Sequence, residues 1–163
     1  MQRWIRNSIG GIILALAAAG TAQAHEGAGG NLAVGVGVGV PTALSLEVAP
    51  TPFTAFELAL GVRTFDTDDL YAHLVFKGDI VRLVRGPDVI VPVYVGAGGF
   101  IRNHRASDIT DAGARVPLGV NFDFTRVPLQ IFAELALEAT FVSDAPIDHP
   151  LALVGMAGAR VWF

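Results

Sequence analysis

Residues 112–141 read AGARVPLGVNFDFTRVPLQIFAELALEATF, and a break at residues 125–128 divides them into two arms. In both arms an apolar side chain occupies every second position. The polar positions between them include Arg115, Asn121, Asp123, Gln130, Glu134 and Glu138. A side-chain period of two is typical of β-strands that have one apolar and one polar face. The stretch therefore predicts a β-hairpin.

The length of the two arms indicates which kind of hairpin this is. An ordinary strand of a globular protein has about 5 to 6 residues. A tilted strand that crosses a membrane needs about 9 to 11 residues, and residues 112–124 and 127–141 are long enough for this with overhang at both ends. The hairpin therefore predicts a membrane-spanning β-sheet.

The same alternation continues through the rest of the chain. It occurs in residues 32–40, 44–49, 56–63, 70–80, 89–101 and 151–163. Turns are expected at Pro41 and at residues 50–52 and 86–88, and longer polar loops at residues 65–69, 102–111 and 143–149. With the two arms of the hairpin, the count is eight strands. We predict an all-β chain whose residues 31–163 form an eight-stranded antiparallel up-and-down transmembrane β-barrel with both termini on one side.

The N-terminus has the features of a cleaved signal peptide. Two arginines, Arg3 and Arg6, precede an apolar stretch at residues 9–19, and Ala-Gln-Ala at residues 22–24 matches a cleavage site. We expect a signal peptide at residues 1–24 and a flexible leader at residues 25–30. The alternative, a membrane anchor, is disfavoured because the apolar stretch is shorter than the roughly 20 residues that a spanning helix needs.

Composition excludes several classes of function. The chain has 11 Lys and Arg residues against 15 acidic residues, and the signal peptide contains two of the arginines and no acid. Nucleic acid is therefore an unexpected partner for a mature chain with a charge of −6. The chain has no cysteine, which excludes disulfides, thiolate metal sites and cysteine nucleophiles. No motif indicates a cofactor or a metal.

Three segments carry a resemblance to a known family. These are RVPLG at residues 115–119, FAELAL at residues 132–137 and GARVWF at residues 158–163. At these segments the chain resembles a family of small bacterial outer-membrane barrels of unknown function, similar to the OmpA transmembrane domain. The resemblance implies the fold and an outer-membrane location, and it implies that Phe163 is the C-terminal signal read by the outer-membrane assembly machinery. It brings no catalytic residues.

Ionisable residues of the polar faces should meet inside the barrel. We predict a lumen charge network formed by Glu47, Glu57, Arg63, His73, Lys77, Asp79, Arg115, Asp123, Glu134, Glu138 and Arg160. Such a network either fills the barrel structurally or provides a path for protons or ions. The structural interpretation is favoured, because an eight-stranded barrel has an interior only wide enough for side chains.

A lipid-modifying enzyme is the main catalytic alternative. His104, Ser107 and Asp108 share one outer loop, and Ser143 and His149 flank another, so the parts of a hydrolytic site could meet at the rim. Solvated loops commonly contain the same residue types. We therefore expect a protein that is not an enzyme.

The loops expected at the outer surface are acidic. They carry Asp66, Asp68, Asp69, Asp108, Asp111, Asp144 and Asp148, whereas the opposite turns carry Arg82, Arg85 and Arg126. The expected partners are outer-membrane lipid and lipopolysaccharide, the latter through divalent cations. The whole pattern predicts a monomeric barrel of the Gram-negative outer membrane with an envelope-structural or surface-interaction role. A small pore and a soluble periplasmic lipocalin-like lipid binder, whose apolar face would point inward, remain alternatives.

Overall fold

A computed structural model describes residues 27–63, 66–105, 107–146 and 150–163. Within these ranges the chain forms eight strands, β1 to β8. Their bounds are Leu32–Gly39, Thr42–Thr51, Thr54–Arg63, Asp66–Arg85, Val89–His104, Ile109–Phe124, Leu129–Ser143 and Leu151–Trp162. The expected signal peptide and the first two residues of the expected leader lie outside the described residues.

The strands form one closed sheet. Each strand pairs antiparallel with the next along the chain, and β1 pairs with β8 to close the barrel. The closing register runs from Ala33 opposite Trp162 to Gly39 opposite Met156. Closure removes the unpaired edges that an open sheet would expose. The predicted eight-stranded antiparallel up-and-down barrel is confirmed as the fold.

The two faces of the sheet differ sharply in exposure. On β7, Leu135 and Leu137 are 58% and 48% exposed, whereas Glu134 and Glu138 are 5% and 3% exposed. Leu118 of β6 lies directly opposite Leu135 and is 53% exposed. Opposite residues of paired strands share a face, so the parity continues around the barrel. Apolar side chains cover the outside, and charged side chains point to the inside, where they lie among buried apolar residues such as Phe132 and Ala136.

Strand β4 departs most from the sequence-based expectation. We predicted it at residues 70–80, but it spans Asp66–Arg85. The predicted acidic loop at residues 65–69 is wrong for residues 66–69, because they already belong to the strand and Asp69 pairs with His104 of β5. At the other end, two register shifts after Asp79 and Arg82 keep β4 paired with β5. Such bulges insert an extra residue without ending a strand.

Several other strand boundaries differ from the predicted ones by a few residues. The predicted turn at residues 50–52 begins too early, since β2 continues to Thr51 and the turn is residues 52–53. The predicted loop at residues 102–111 contracts to residues 105–108, because pairs such as Arg102 with Asp111 extend β5 and β6. The tight first connection at Pro41 is correct, and β1 and β2 pair directly.

Both ends of the described chain lie at one end of the barrel, which we call the inner end. The Phe163 backbone N–H donates to the Leu32 carbonyl oxygen at 2.7 Å, and the Ala28 N–H donates to the Phe124 carbonyl oxygen at 3.2 Å. Turns 52–53, 86–88 and 125–128 are also at the inner end. The other three connections and the Pro41 turn form the outer end.

A close approach between β5 and β6 fixes one large side chain of the lumen. A Cβ atom at Gly119 would lie 2.3 Å from the Cζ atom of the Tyr94 ring. Only glycine therefore leaves room for the ring at this position. Tyr94 is 1% exposed and crosses the lumen at this level.

Candidate functional site

Charged side chains from six of the eight strands meet in the lumen, where they form two clusters. The first, the Arg115 cluster, is closer to the outer end. The Nη1 atom of Arg115 donates to Oε1 of Glu138 at 2.5 Å, and its Nη2 atom donates to Oε1 of Glu134 at 2.6 Å. The hydroxyls of Tyr71 and Tyr94 donate to Glu138 and Glu134 respectively. Arg115 is completely buried.

The second cluster, the Arg160 cluster, lies closer to the inner end. Arg160 contacts Oε1 of Glu57 at 2.6 Å and Oε2 of Glu47 at 2.9 Å. Lys77 binds the same two carboxylates, with 2.7 Å between its Nζ atom and Oε2 of Glu57. Two cations thus share two carboxylates, and Ser45 is hydrogen-bonded to both Arg160 and Glu57.

The ring of Tyr94 connects the two clusters. Its hydroxyl donates to Glu134 at 2.7 Å, and the Nζ atom of Lys77 lies 4.7 Å from its ring centre. The guanidinium of Arg160 stacks 3.9 Å from the ring centre of Phe132, which is fully buried. Polar contacts therefore continue along the lumen from one cluster to the other, and aromatic rings occupy the space beside them.

The remaining residues of the predicted network lie at its margins. The Nε2 atom of His73 is 3.9 Å from Oε1 of Glu57. Asp79 pairs with Arg82, and Oδ1 of Asp123 accepts a hydrogen bond from Gln130 at 2.7 Å. Arg63 is half-buried at the outer end of β3, outside both clusters.

Sequence reasoning missed four uncharged members of the clusters. They are Ser45, Tyr71, Tyr94 and Gln130. Their inward parity was visible in the sequence, but the prediction considered only acidic side chains, basic side chains and histidine. Buried charges need hydrogen-bond partners on their remaining donors and acceptors, and that requirement would have pointed to inward-facing hydroxyls and amides.

A third polar group closes the outer rim. Nδ1 of His104 is 2.8 Å from Oδ2 of Asp69, and its Nε2 atom is 3.0 Å from Oδ2 of Asp111. Arg102 also pairs with Asp111, at 2.5 Å. Burial alone would raise the pKa of Asp111, but hydrogen bonds from Arg102, Ser143 and His104 outweigh it and lower the pKa to about 2. These contacts tie together the outer ends of β4, β5 and β6.

This arrangement bears on the catalytic hypothesis. Both ring nitrogens of His104 are bound by carboxylates, and among the described side chains no serine hydrogen-bonds to it. Ser107 meets His104 only through the backbone, and Ser143 is a hydrogen-bond partner of Asp111. His149 lies outside the described residues. A serine nucleophile needs a base within hydrogen-bond reach, and among the described residues no histidine ring hydrogen-bonds to the hydroxyl of Ser107 or Ser143.

The aspartates of the predicted outer loops differ in exposure. Asp69 and Asp111 are buried in the rim group, whereas Asp108 and Asp144 are exposed. Arg82, expected on an inner turn, folds over the inner mouth and donates to the Pro52 carbonyl oxygen at 2.8 Å. Phe163 is 67% exposed at the inner end.

The described part of the chain lacks two features that would point to other functions. No helix there has the length and apolar character to span a bilayer. No group of three or more His, Cys, Asp and Glu side chains there is arranged to hold a metal ion. Comparison of the chain with protein-family models, curated proteins and solved structures gives no match. The closed barrel itself is consistent with the OmpA-like fold.

Proposed function

We propose that the chain is an integral barrel of the bacterial outer membrane with an envelope-structural or surface-interaction role and no catalytic activity. The single observation that carries this proposal is the distribution of side chains. Large apolar residues such as Leu74, Leu135 and Leu153 are 58% to 73% exposed, while Arg115 and Arg160 are fully buried. In water, this distribution exposes the groups that favour burial and buries those that favour solvent.

A bilayer removes that conflict. Lipid covers the outward apolar side chains, and a closed sheet leaves no backbone group unpaired in the hydrocarbon. The polar interior and apolar exterior are the reverse of a lipocalin-like barrel, in which an apolar cavity receives the ligand. The orientation of the side chains therefore supports the membrane interpretation over a soluble lipid carrier.

Cell fractionation followed by gel electrophoresis with and without boiling tests the location. We expect the expressed protein in the outer-membrane fraction, with a folded band that shifts after boiling because the closed barrel resists detergent until heated. Removal of Phe163 should reduce the amount of the shifting band if this residue is the assembly signal. Recovery in the soluble periplasmic fraction would contradict the proposal.

The absence of catalysis is tested separately. Mass spectra of outer-membrane lipids should be identical in cells with and without the protein. A change in lipid mass that requires the wild-type chain and disappears when His104, Ser107, Ser143 and His149 are all replaced by alanine would instead establish a lipid-modifying enzyme.

A further inference from the structure

A small polar cavity lies inside the inner mouth of the barrel. It has a volume of about 40 Å³ and extends from the Arg160 cluster to the turn between β2 and β3. A buried water needs about 10 to 15 Å³ measured in this way, so the cavity has room for about three waters. Its size suits a small hydrated ligand and excludes a larger organic one.

The charged residues that line the cavity are mostly acidic. Among the described lining residues there are three carboxylates and two cations, which are Glu47, Asp79, Asp123, Lys77 and Arg82. Both cations are already engaged, Lys77 by Glu47 and Glu57, and Arg82 by Asp79 and the Pro52 carbonyl oxygen. Glu47 is also paired with Arg160, which in turn shares Glu57 with Lys77. When Arg160 and Glu57 are added, these residues comprise four carboxylates and three cations. The remaining excess of one negative charge favours a cation in the cavity.

Asn121 provides a second, independent indication of a ligand. Its side chain lines the cavity and is 7% exposed, and its Oδ1 atom accepts no hydrogen bond from the described residues. Buried amide oxygens are almost always paired, with protein or with ordered water. Asp123 lies two residues further along β6 and on the same face. Asn121 therefore presents an unused acceptor beside a carboxylate.

We propose that this cavity binds a hydrated divalent cation of the Mg²⁺ class. Asp79 and Asp123 supply the anionic oxygens, and Oδ1 of Asn121 accepts a hydrogen bond from a metal-bound water. Mg²⁺ keeps several waters and commonly binds proteins through one or two carboxylates. This mode needs no group of three acidic ligands, in agreement with the lack of one among the described residues.

The site would stabilise the inner mouth by joining strands that are far apart in sequence. Asp79 belongs to β4, and Asn121 and Asp123 belong to β6. The inference concerns the inside of the folded barrel and does not rest on where the barrel is located. Binding can therefore fail while the membrane proposal holds, and the reverse is also true.

Isothermal titration of the folded protein tests this site. The protein is purified in zwitterionic detergent, freed of metal with a chelator and titrated with MgCl₂ or CaCl₂, with NaCl of equal ionic strength as the control for screening. We expect one divalent ion with a dissociation constant on the order of 10⁻⁴ to 10⁻³ M. Asp123→Asn and Asn121→Leu should each weaken binding about tenfold or more, since they remove a ligand charge and the acceptor for bound water.

Asp144→Asn is the matched control, because it removes one negative charge from the exposed outer end. It should leave the titration unchanged. The heat-modifiable band reports whether each variant folds, and Asn121→Leu decides the result if Asp123→Asn does not fold. Absence of Mg²⁺ and Ca²⁺ binding, or binding that is lost in Asp144→Asn and kept in the cavity variants, would overturn the site.

Discussion

At the scale of single residues, Arg115 is the clearest case of a buried charge that needs charged partners. It is completely buried, and its guanidinium is paired with both Glu134 and Glu138, at 2.6 and 2.5 Å. Such a pair contributes little relative to apolar residues of the same volume, because desolvation offsets the attraction. Removing one partner is strongly destabilising, since the remaining charges stay buried without compensation.

We predict that Arg115→Met lowers the free energy of unfolding by about 3 to 5 kcal/mol. The measurement is the loss of the folded gel band with increasing urea in detergent micelles. A triple variant that adds Glu134→Gln and Glu138→Gln should recover most of this loss, because it removes the uncompensated charges. An Arg115→Met protein as stable as the wild type would contradict the structural role of the cluster.

Asp111 makes the outer rim sensitive to acid. Its pKa is lowered from 3.8 to about 2 in the folded protein. A lowered pKa stabilises the fold at pH values above the ordinary Asp pKa, and this stabilisation is lost as the pH falls through the folded value. We therefore expect the wild-type protein to be more stable than Asp111→Asn at pH 6, with the difference disappearing near pH 2. Urea unfolding midpoints of both proteins, measured between pH 2 and pH 6, check this prediction. A stability difference that persists at pH 2 would contradict it.

Which residues face the lumen could be predicted from the sequence, but their partners could not. Parity alone places Glu134 and Arg115 on inward faces. Arg115 takes Glu138, which lies directly opposite it on the next strand, and also Glu134. Arg160 of β8 takes Glu47 and Glu57 of β2 and β3. The first set depends on the register of one hairpin, and the second on the register and tilt of strands that are far apart in sequence. Alternation does not contain this information.

At the scale of strands, the outward face of β7 provides a test of depth in the membrane. Leu135 lies near the middle of the strand, and Val142 lies next to its outer end. Both are exposed, at 58% and 64%. An arginine on the lipid face costs about 2 to 4 kcal/mol at the bilayer midplane and about 0 to 1 kcal/mol near the interface.

We predict that Leu135→Arg is destabilising by about 2 to 4 kcal/mol in phosphatidylcholine vesicles, and that Val142→Arg, its matched control, changes stability by less than about 1 kcal/mol. Urea unfolding followed by circular dichroism measures both. Equal effects of the two substitutions would mean that the outward face does not meet a hydrocarbon layer.

The alternating pattern predicted that each strand exists, but it did not predict where the strands end. β4 runs to Arg85 because two bulges let it stay paired with β5 after its alternation has become irregular. Residues 66–69 read as a loop because aspartates are depleted in strands. Pairing with neighbouring strands overrides this local preference, and Asp69 gains a partner in His104.

At the scale of the whole molecule, the two clusters occupy the lumen at successive levels, and we expect them to block it. Wild-type protein inserted in planar bilayers should therefore show no steady conductance above the bilayer background. Replacing Arg115, Glu134 and Glu138 by alanine should still give no channel, because Lys77 and Arg160 remain with their carboxylates. Steady single-channel currents from the wild type would show that the interior is a pore.

The most direct test of the central claim asks which side chains touch lipid. The chain has two tryptophans, Trp4 in the expected signal peptide and Trp162, which is 2% exposed. Mature protein is folded into vesicles of brominated phosphatidylcholine, whose bromine atoms quench tryptophan fluorescence on contact. A tryptophan introduced at Leu118 or Leu135 in a Trp162→Phe background should be strongly quenched, and the native Trp162 much less. Equal quenching of inward and outward positions, or none at Leu118 and Leu135, would contradict the account of an apolar face in contact with the membrane.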